Sequence, residues 1–202
     1  MATNYNHPPK GSCNKVEPIR NINDILAIRK LLHYSPRDQL LFLMGINNGL
    51  RIGDLLGLKT EDVRNLKPGQ HFDIIENRTG MKNILVMNQT VYRVLQAYLE
   101  HMEQTGKTSK WLFQSRKGGR PLTLMRINAM VKQWASAIQL SGNFGARSLR
   151  KTWGYHQVKE FGVEIGVVSK RYNHEKLSTT RSYLGLVPDD MEQDKLAGNE
   201  LG

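Results

Sequence analysis

Between Glu103 and Glu160 the chain carries no acidic residue, yet eleven lysines and arginines lie there. The same stretch holds Ile127, Met130, Val131, Trp134 and Ile138 at helical spacings of three and four, so it must fold and bury an apolar face. Charges of one sign repel one another unless a polyanion sits against them. The whole chain has 29 Lys and Arg against 18 Asp and Glu, a formal net charge of +11. The segment from Val187 to Gly202 has five acids and one lysine; it contributes −4 and leaves +15 for the rest. A solvated basic face is the bland reading of this asymmetry. Nucleic acid is the partner that explains it better.

At 202 residues the chain is long enough for one domain with a real core. Its single cysteine, Cys13, excludes an internal disulfide framework and any multi-cysteine metal site. No apolar run approaches the roughly 18 residues of a membrane helix. The opening MATNYNHPPKGSCNK is polar and proline-bearing, unlike a signal peptide. A soluble, cytoplasmic protein is expected, with no membrane association.

Residues 1–20 read as a flexible arm. Helical periodicity runs over NDILAIRKLLH, then from Pro36 through DQLLFLMGINNGL, where Asn48-Gly49 is a break signal. IGDLLGL is a short apolar helix, and Thr60 with Glu61 and Asp62 suggests a cap for another. HFDIIEN and NILVMN are strand-like, joined through Thr79-Gly80, where glycine supplies a positive φ. WLFQS is a third strand candidate. Helices follow over TVYRVLQAYLEHMEQ, Thr123–Leu140 and SLRKTWGYHQVKEFG, then two short helical stretches and an acidic terminal helix over 187–202. The expected fold is mainly α with a small antiparallel three-stranded β-sheet.

Several chemistries are excluded by what the sequence lacks. The Gly118-Gly119 pair has no phosphate-loop context, and neither HExxH nor GxSxG occurs. The six histidines are scattered. What remains is Arg51 in GLRIGD, Arg147 and Arg150 in RSLR, His174 after Asn173, and Tyr183. In this order the three segments GLRIGDLLGL, RSLRKTWGYH and NHEKLSTTRSYLGL resemble the motif boxes of the tyrosine recombinase, or phage integrase, catalytic domain. The tyrosine follows the histidine by nine residues, as in that family. The resemblance covers about residues 20–190, so 21–186 is expected to be the catalytic domain.

The resemblance implies strand cleavage and rejoining at a DNA recombination site through a covalent 3′-phosphotyrosine, with no metal or other cofactor. Arg51 and Arg150 would clamp non-bridging phosphate oxygens with always-ionised donors. His174 would add a hydrogen bond, and Tyr183 would attack phosphorus. Arg147 stands where the family usually has histidine. Arg78 stands where it has the lysine that protonates the departing 5′-oxygen, and Lys82 lies four residues on; either is a candidate for that part. Asp54, three residues past Arg51, is a candidate to hold a neighbouring basic side chain. The resemblance further implies a bacterial or phage-encoded protein, monomeric when free and tetrameric on DNA, with the acidic tail packing on a neighbour. Too few residues precede the first helix for the family's N-terminal clamp domain, so the chain is either an excised domain or a naturally short member. The alternative is a DNA-binding regulator that kept the fold and lost catalysis.

Overall fold

The computed structural model describes residues 15–186. Its elements run α1 (Ile22–Leu31), α2 (Pro36–Asn48), α3 (Ile52–Leu56), α4 (Thr60–Val63), β1 (His71–Ile75), β2 (Lys82–Val86), α5 (Gln89–Gln104), α6 (Leu124–Ala137), α7 (Ala146–Lys159), α8 (Ile165–Arg171) and α9 (Leu177–Leu184). The candidate acidic helix over 187–202 and Cys13 lie outside the described residues. Among those described, no helix is long and apolar enough to cross a membrane.

The centre of the molecule is α2. Proline at its first position needs no N–H there and presets φ. Leu40, Leu41, Phe42, Leu43 and Met44 are all buried, an unbroken run that no single-faced helix shows. Both α5 and α7 pack against α2. α5 is amphipathic: Val91, Val94, Leu95, Tyr98, Leu99 and Met102 form one buried stripe. Each such apolar side chain contributes about 1.5–3 kcal/mol when fully buried. A smaller core of Val158, Ile165, Val168, Tyr172, Leu184 and Leu186 joins the end of α7 to α8 and α9, and Tyr183 packs against it.

The expected sheet is two strands, not three. β1 and β2 pair antiparallel with Ile74 opposite Asn83 and Ile75 opposite Lys82, and Gly80 in the turn has φ +68°. WLFQS does not join them. Leu112 and Phe113 are both fully buried, so the alternation of a half-exposed strand is absent. The segment instead makes single bridges, Lys59 to Trp111 and Gln114 to Pro121. Thr60 is likewise not the cap of α4. Lys59 occupies that position, the Asp62 carboxylate accepts its N–H, and the Thr60 hydroxyl donates to the Ser109 carbonyl at 2.8 Å.

Residues 15–20, the described part of the expected arm, are strapped along α7. The Ile19 N–H donates to Thr152 Oγ1 at 2.8 Å, the Ile19 carbonyl lies 2.9 Å from His156 Nε2, and Lys151 Nζ donates to the Val16 carbonyl at 2.8 Å. Buried polar groups on α7 thereby find partners in a segment with no regular structure.

Gly49 closes α2 in the left-handed region, φ +63°, and turns the chain so that Arg51 begins α3. A Cβ at Gly49 would stand 2.4 Å from the Trp153 ring on α7. Gly49→Ala therefore meets both backbone strain and a clash, and should lower unfolding free energy by about 2–4 kcal/mol. Urea denaturation measures this; an unchanged midpoint would contradict the close approach of α2 and α7.

Candidate active site

The site is assembled around a carboxylate that sequence reasoning did not single out. Glu76 follows β1 directly, and its backbone N–H and C=O pair with Met81 and Gly80 to close the hairpin. Its side chain is 0% exposed. The carboxylate accepts from Thr79 Oγ1 at 2.6 Å and from Asn83 Nδ2 at 2.9 Å. It forms an ion pair with Arg51, and Arg150 Nη1 lies 4.0 Å from its other oxygen. Burial alone would raise the Glu76 pKa. The hydrogen bonds from Thr79 and Asn83, with the nearby Asn173 amide and Arg51, overcome this and bring it from 4.5 to about 2.

Each guanidinium reaches this point from a helix boundary or a buried helix face. Arg51 is the residue that caps α3, and its side chain is 18% exposed. Arg150 lies in α7 and is buried. Its Nη2 donates to the Tyr172 carbonyl at 2.9 Å, its guanidinium stacks 4.4 Å from the Tyr172 ring centre, and the Tyr172 hydroxyl returns a 2.6 Å bond to the Arg150 carbonyl. This reciprocal lock fixes the guanidinium against a phenol that burial holds protonated. Gly154 makes it possible, since a Cβ there would fall 2.2 Å from the Tyr172 hydroxyl. Arg171, at the end of α8, donates to the carbonyls of Asn48 and Ile84, tying α2 and β2 to the same centre.

His174 and Tyr183 complete the cluster. Asn173 takes φ +54° and turns the chain out of α8. His174 Nδ1 then sits 2.9 Å from Thr180 Oγ1 on α9. Burial first, then the charges of Arg150, Arg51 and Arg78, push the imidazole pKa down, so His174 is neutral at pH 7. The Tyr183 ring stands edge-on to His174, with centres 5.5 Å apart, and edge-on to Tyr172 at the same distance. Burial raises the Tyr183 phenol pKa; Arg150, Arg147 and Arg51 oppose the rise. Lys151 Nζ stacks 4.9 Å from the centre of the Tyr183 ring.

Arg51, Arg150, His174 and Tyr183 therefore converge, with Arg147 exposed at the start of α7 and acting on Tyr183 through its charge. Arg78 is exposed on the hairpin turn, and its charge acts on His174. Lys82 is not brought in. The next residue, Asn83, turns inward to Glu76, and the pleat sends Lys82 to the opposite, exposed face. Asp54 does not hold a basic side chain: its Oδ1 accepts the Asn77 N–H at 2.9 Å and so anchors the hairpin backbone. A cavity of about 1080 Å³ lies elsewhere, lined by Tyr34, Arg37, His101 and Met130, and includes none of these side chains. Of the converging groups Arg150 is buried, and Arg51, His174 and Tyr183 are half-buried.

The model of the phage integrase family matches residues 19–188. The chain belongs to the phage integrase family. It is 30% identical over 175 residues to the probable integrase/recombinase YoeC of Bacillus subtilis (strain 168), covering 86% of this chain and 92% of that protein. It is 25% identical to the tyrosine recombinase XerC of Shewanella sp. (strain ANA-3) over 83% of this chain, but spans only 54% of that relative's length. In fold it is similar to the XerH site-specific recombinase solved as a post-cleavage complex on its palindromic difH substrate. There the TM-score is 0.71 at 20% identity, covering 91% of this chain and 53% of that one.

Glu76, Tyr172, Arg171 and Thr180 were not legible as site residues. Glu76 left one signal: it falls two residues after the buried Ile74, an inward position where a carboxylate demands partners. Its depressed pKa fixes a pH dependence. The ionised carboxylate contributes stability in full above pH 4.5, and that contribution is lost as pH falls from 4.5 through about 2. The difference in unfolding free energy between wild type and Glu76→Gln should shrink by about 3 kcal/mol on acidification across that window. Urea unfolding of both proteins at stepped pH tests this; a pH-independent difference would show that Glu76 is not held ionised by its neighbours.

Proposed function

We propose that the chain is a tyrosine-type site-specific recombinase that cuts and rejoins double-stranded DNA through Tyr183. The observation that carries this reading is the convergence of Arg51 and Arg150 with His174 and Tyr183. Its likeness to an integrase/recombinase and to a tyrosine recombinase supports it, as does the DNA substrate of the XerH complex.

In this reading the phosphodiester enters as an anion, and the guanidiniums of Arg51 and Arg150 stabilise charge developing on its non-bridging oxygens. The Tyr183 phenol oxygen bonds to phosphorus, the bond to the 5′-oxygen breaks, and the phenolic proton passes to solvent. His174, neutral and aligned by Thr180, donates to the same phosphate. The departing 5′-oxygen gains a proton and remains as a free hydroxyl. Rejoining is the reverse, with a 5′-hydroxyl attacking the phosphotyrosine, so no external energy source is needed. Arg147 keeps a phosphate-binding cation where the family has histidine. Arg78, whose charge reaches His174, stabilises the departing oxyanion while water supplies its proton; a guanidinium gives up its own proton too reluctantly. Four protomers assemble on two duplexes from monomers in solution, acting in the cytoplasm of a bacterial host. The tail over 187–202 is assigned to contacts between them.

A nicked suicide duplex carrying the native site tests the nucleophile. Wild type should form a covalent protein–DNA adduct, and Tyr183→Phe should form none while binding DNA as before. Binding without an adduct in wild type would make the chain a DNA-binding regulator on a recombinase fold. The leaving-group assignment is tested with sulfur in place of the bridging 5′-oxygen, since a thiolate departs unaided. Arg78→Ala should be slow on normal DNA and restored on the sulfur substrate, with Lys82→Ala near wild type on both. A slow Lys82→Ala rescued by sulfur would transfer the role to Lys82.

A further inference from the structure

We infer that Glu76 is a positioning residue for cleavage, an internal anion that holds Arg51 and Arg150 in register before the scissile phosphate arrives. This rests on the recombinase reading above. Three guanidiniums surround the position. Arg51 pairs with one carboxylate oxygen, Arg150 Nη1 is 4.0 Å from the other, and Arg171 feels the same charge. Arg150 Nη1 is buried and has no hydrogen-bond partner, so it faces the carboxylate with its donor capacity unused.

Like charges at this spacing repel: beyond the effect of burial, Arg51 lowers the proton affinity of Arg150, and Arg150 lowers that of Arg171. Without an anion between them, Arg51 is the one free to leave, since it begins a five-residue helix and is partly exposed. Arg150 is fixed by Tyr172 and Arg171 by two carbonyls. Glu76 is itself immobilised by Thr79, Asn83 and its hairpin backbone bonds. It therefore transmits the position of the hairpin to Arg51. Asp54 reinforces the link by holding the Asn77 N–H from α3, the helix that Arg51 starts.

Glu76→Gln keeps the size and removes only the charge. Two measurements test the inference, with Glu76→Asp as the conservative variant. In single-turnover cleavage at saturating DNA, Glu76→Gln should slow adduct formation by about 10- to 100-fold while binding DNA as tightly as wild type or tighter. Glu76→Asp should recover part of the rate. In thermal unfolding of the free proteins, millimolar sulfate should raise the midpoint of Glu76→Gln more than that of wild type, because the ion takes over the vacated charge position.

Wild-type-like cleavage by Glu76→Gln would overturn the positioning role. So would a variant whose midpoint drops equally with and without sulfate and whose rate loss matches its loss of folded protein, since that is a purely structural role. Absence of any Tyr183 adduct in wild type would defeat the recombinase reading. The sulfate comparison would still decide whether Glu76 occupies an anion position.

Discussion

A carboxylate sealed from solvent among three guanidiniums is the contact on which the rest of this site depends. Removing a charge from water costs several kcal/mol, and one ion pair rarely repays that. At Glu76 the repayment is spread over a hydroxyl, an amide and two arginines. The low pKa of Glu76 is the sign that these partners outweigh desolvation. Arg51, Arg150 and Arg171 arrive from α3, α7 and α8, and the carboxylate itself from the root of the hairpin. One buried charge therefore registers four elements that are distant in sequence, and it does so at the point where an anionic substrate is proposed to sit.

The elements that deliver these groups are held by means other than charge. α7 packs on the central α2 across Gly49 and Trp153, so Arg51 and Arg150 stand on the two sides of one tight helix contact. The strap of residues 15–20 is bonded to α7, and the Val16 carbonyl in it accepts from Lys151, whose ammonium stacks on the Tyr183 ring. Tyr183 is thus placed by a small core, an imidazole edge and a cation.

Features carried by local pattern were legible in the sequence. The stripe of α5, the proline that opens α2, the glycine that closes it and the Thr79-Gly80 turn each act within a few residues. Arg51, Arg150, His174 and Tyr183 were legible because their spacing resembles family boxes, not because any one of them is distinctive. WLFQS misled because aromatic and aliphatic residues favour a strand, whereas Leu112 and Phe113 both point into the core. Lys82 was a candidate by its closeness in sequence to the turn, which does not decide the face of the pleat a side chain takes; the strand places it on the exposed face. Asp54 was expected to hold a cation and instead holds a backbone N–H 23 residues away, a partner that no local pattern announces.

The free site also explains why a tyrosine amid arginines need not be reactive on its own. Burial keeps the Tyr183 phenol protonated, and two of the three arginines that favour its anion, Arg150 and Arg51, are already shared with Glu76. His174 is neutral, so it adds no further positive charge. A phosphate drawing Arg51 and Arg150 toward itself would supply its own negative charge, which again disfavours a phenolate. On the proposed reading, attack has to couple oxygen–phosphorus bonding with loss of the phenolic proton, because burial outweighs the arginines and keeps the free phenol protonated. What the protein contributes is placement: a ring packed edge-on against its neighbours and guanidiniums held by a buried anion.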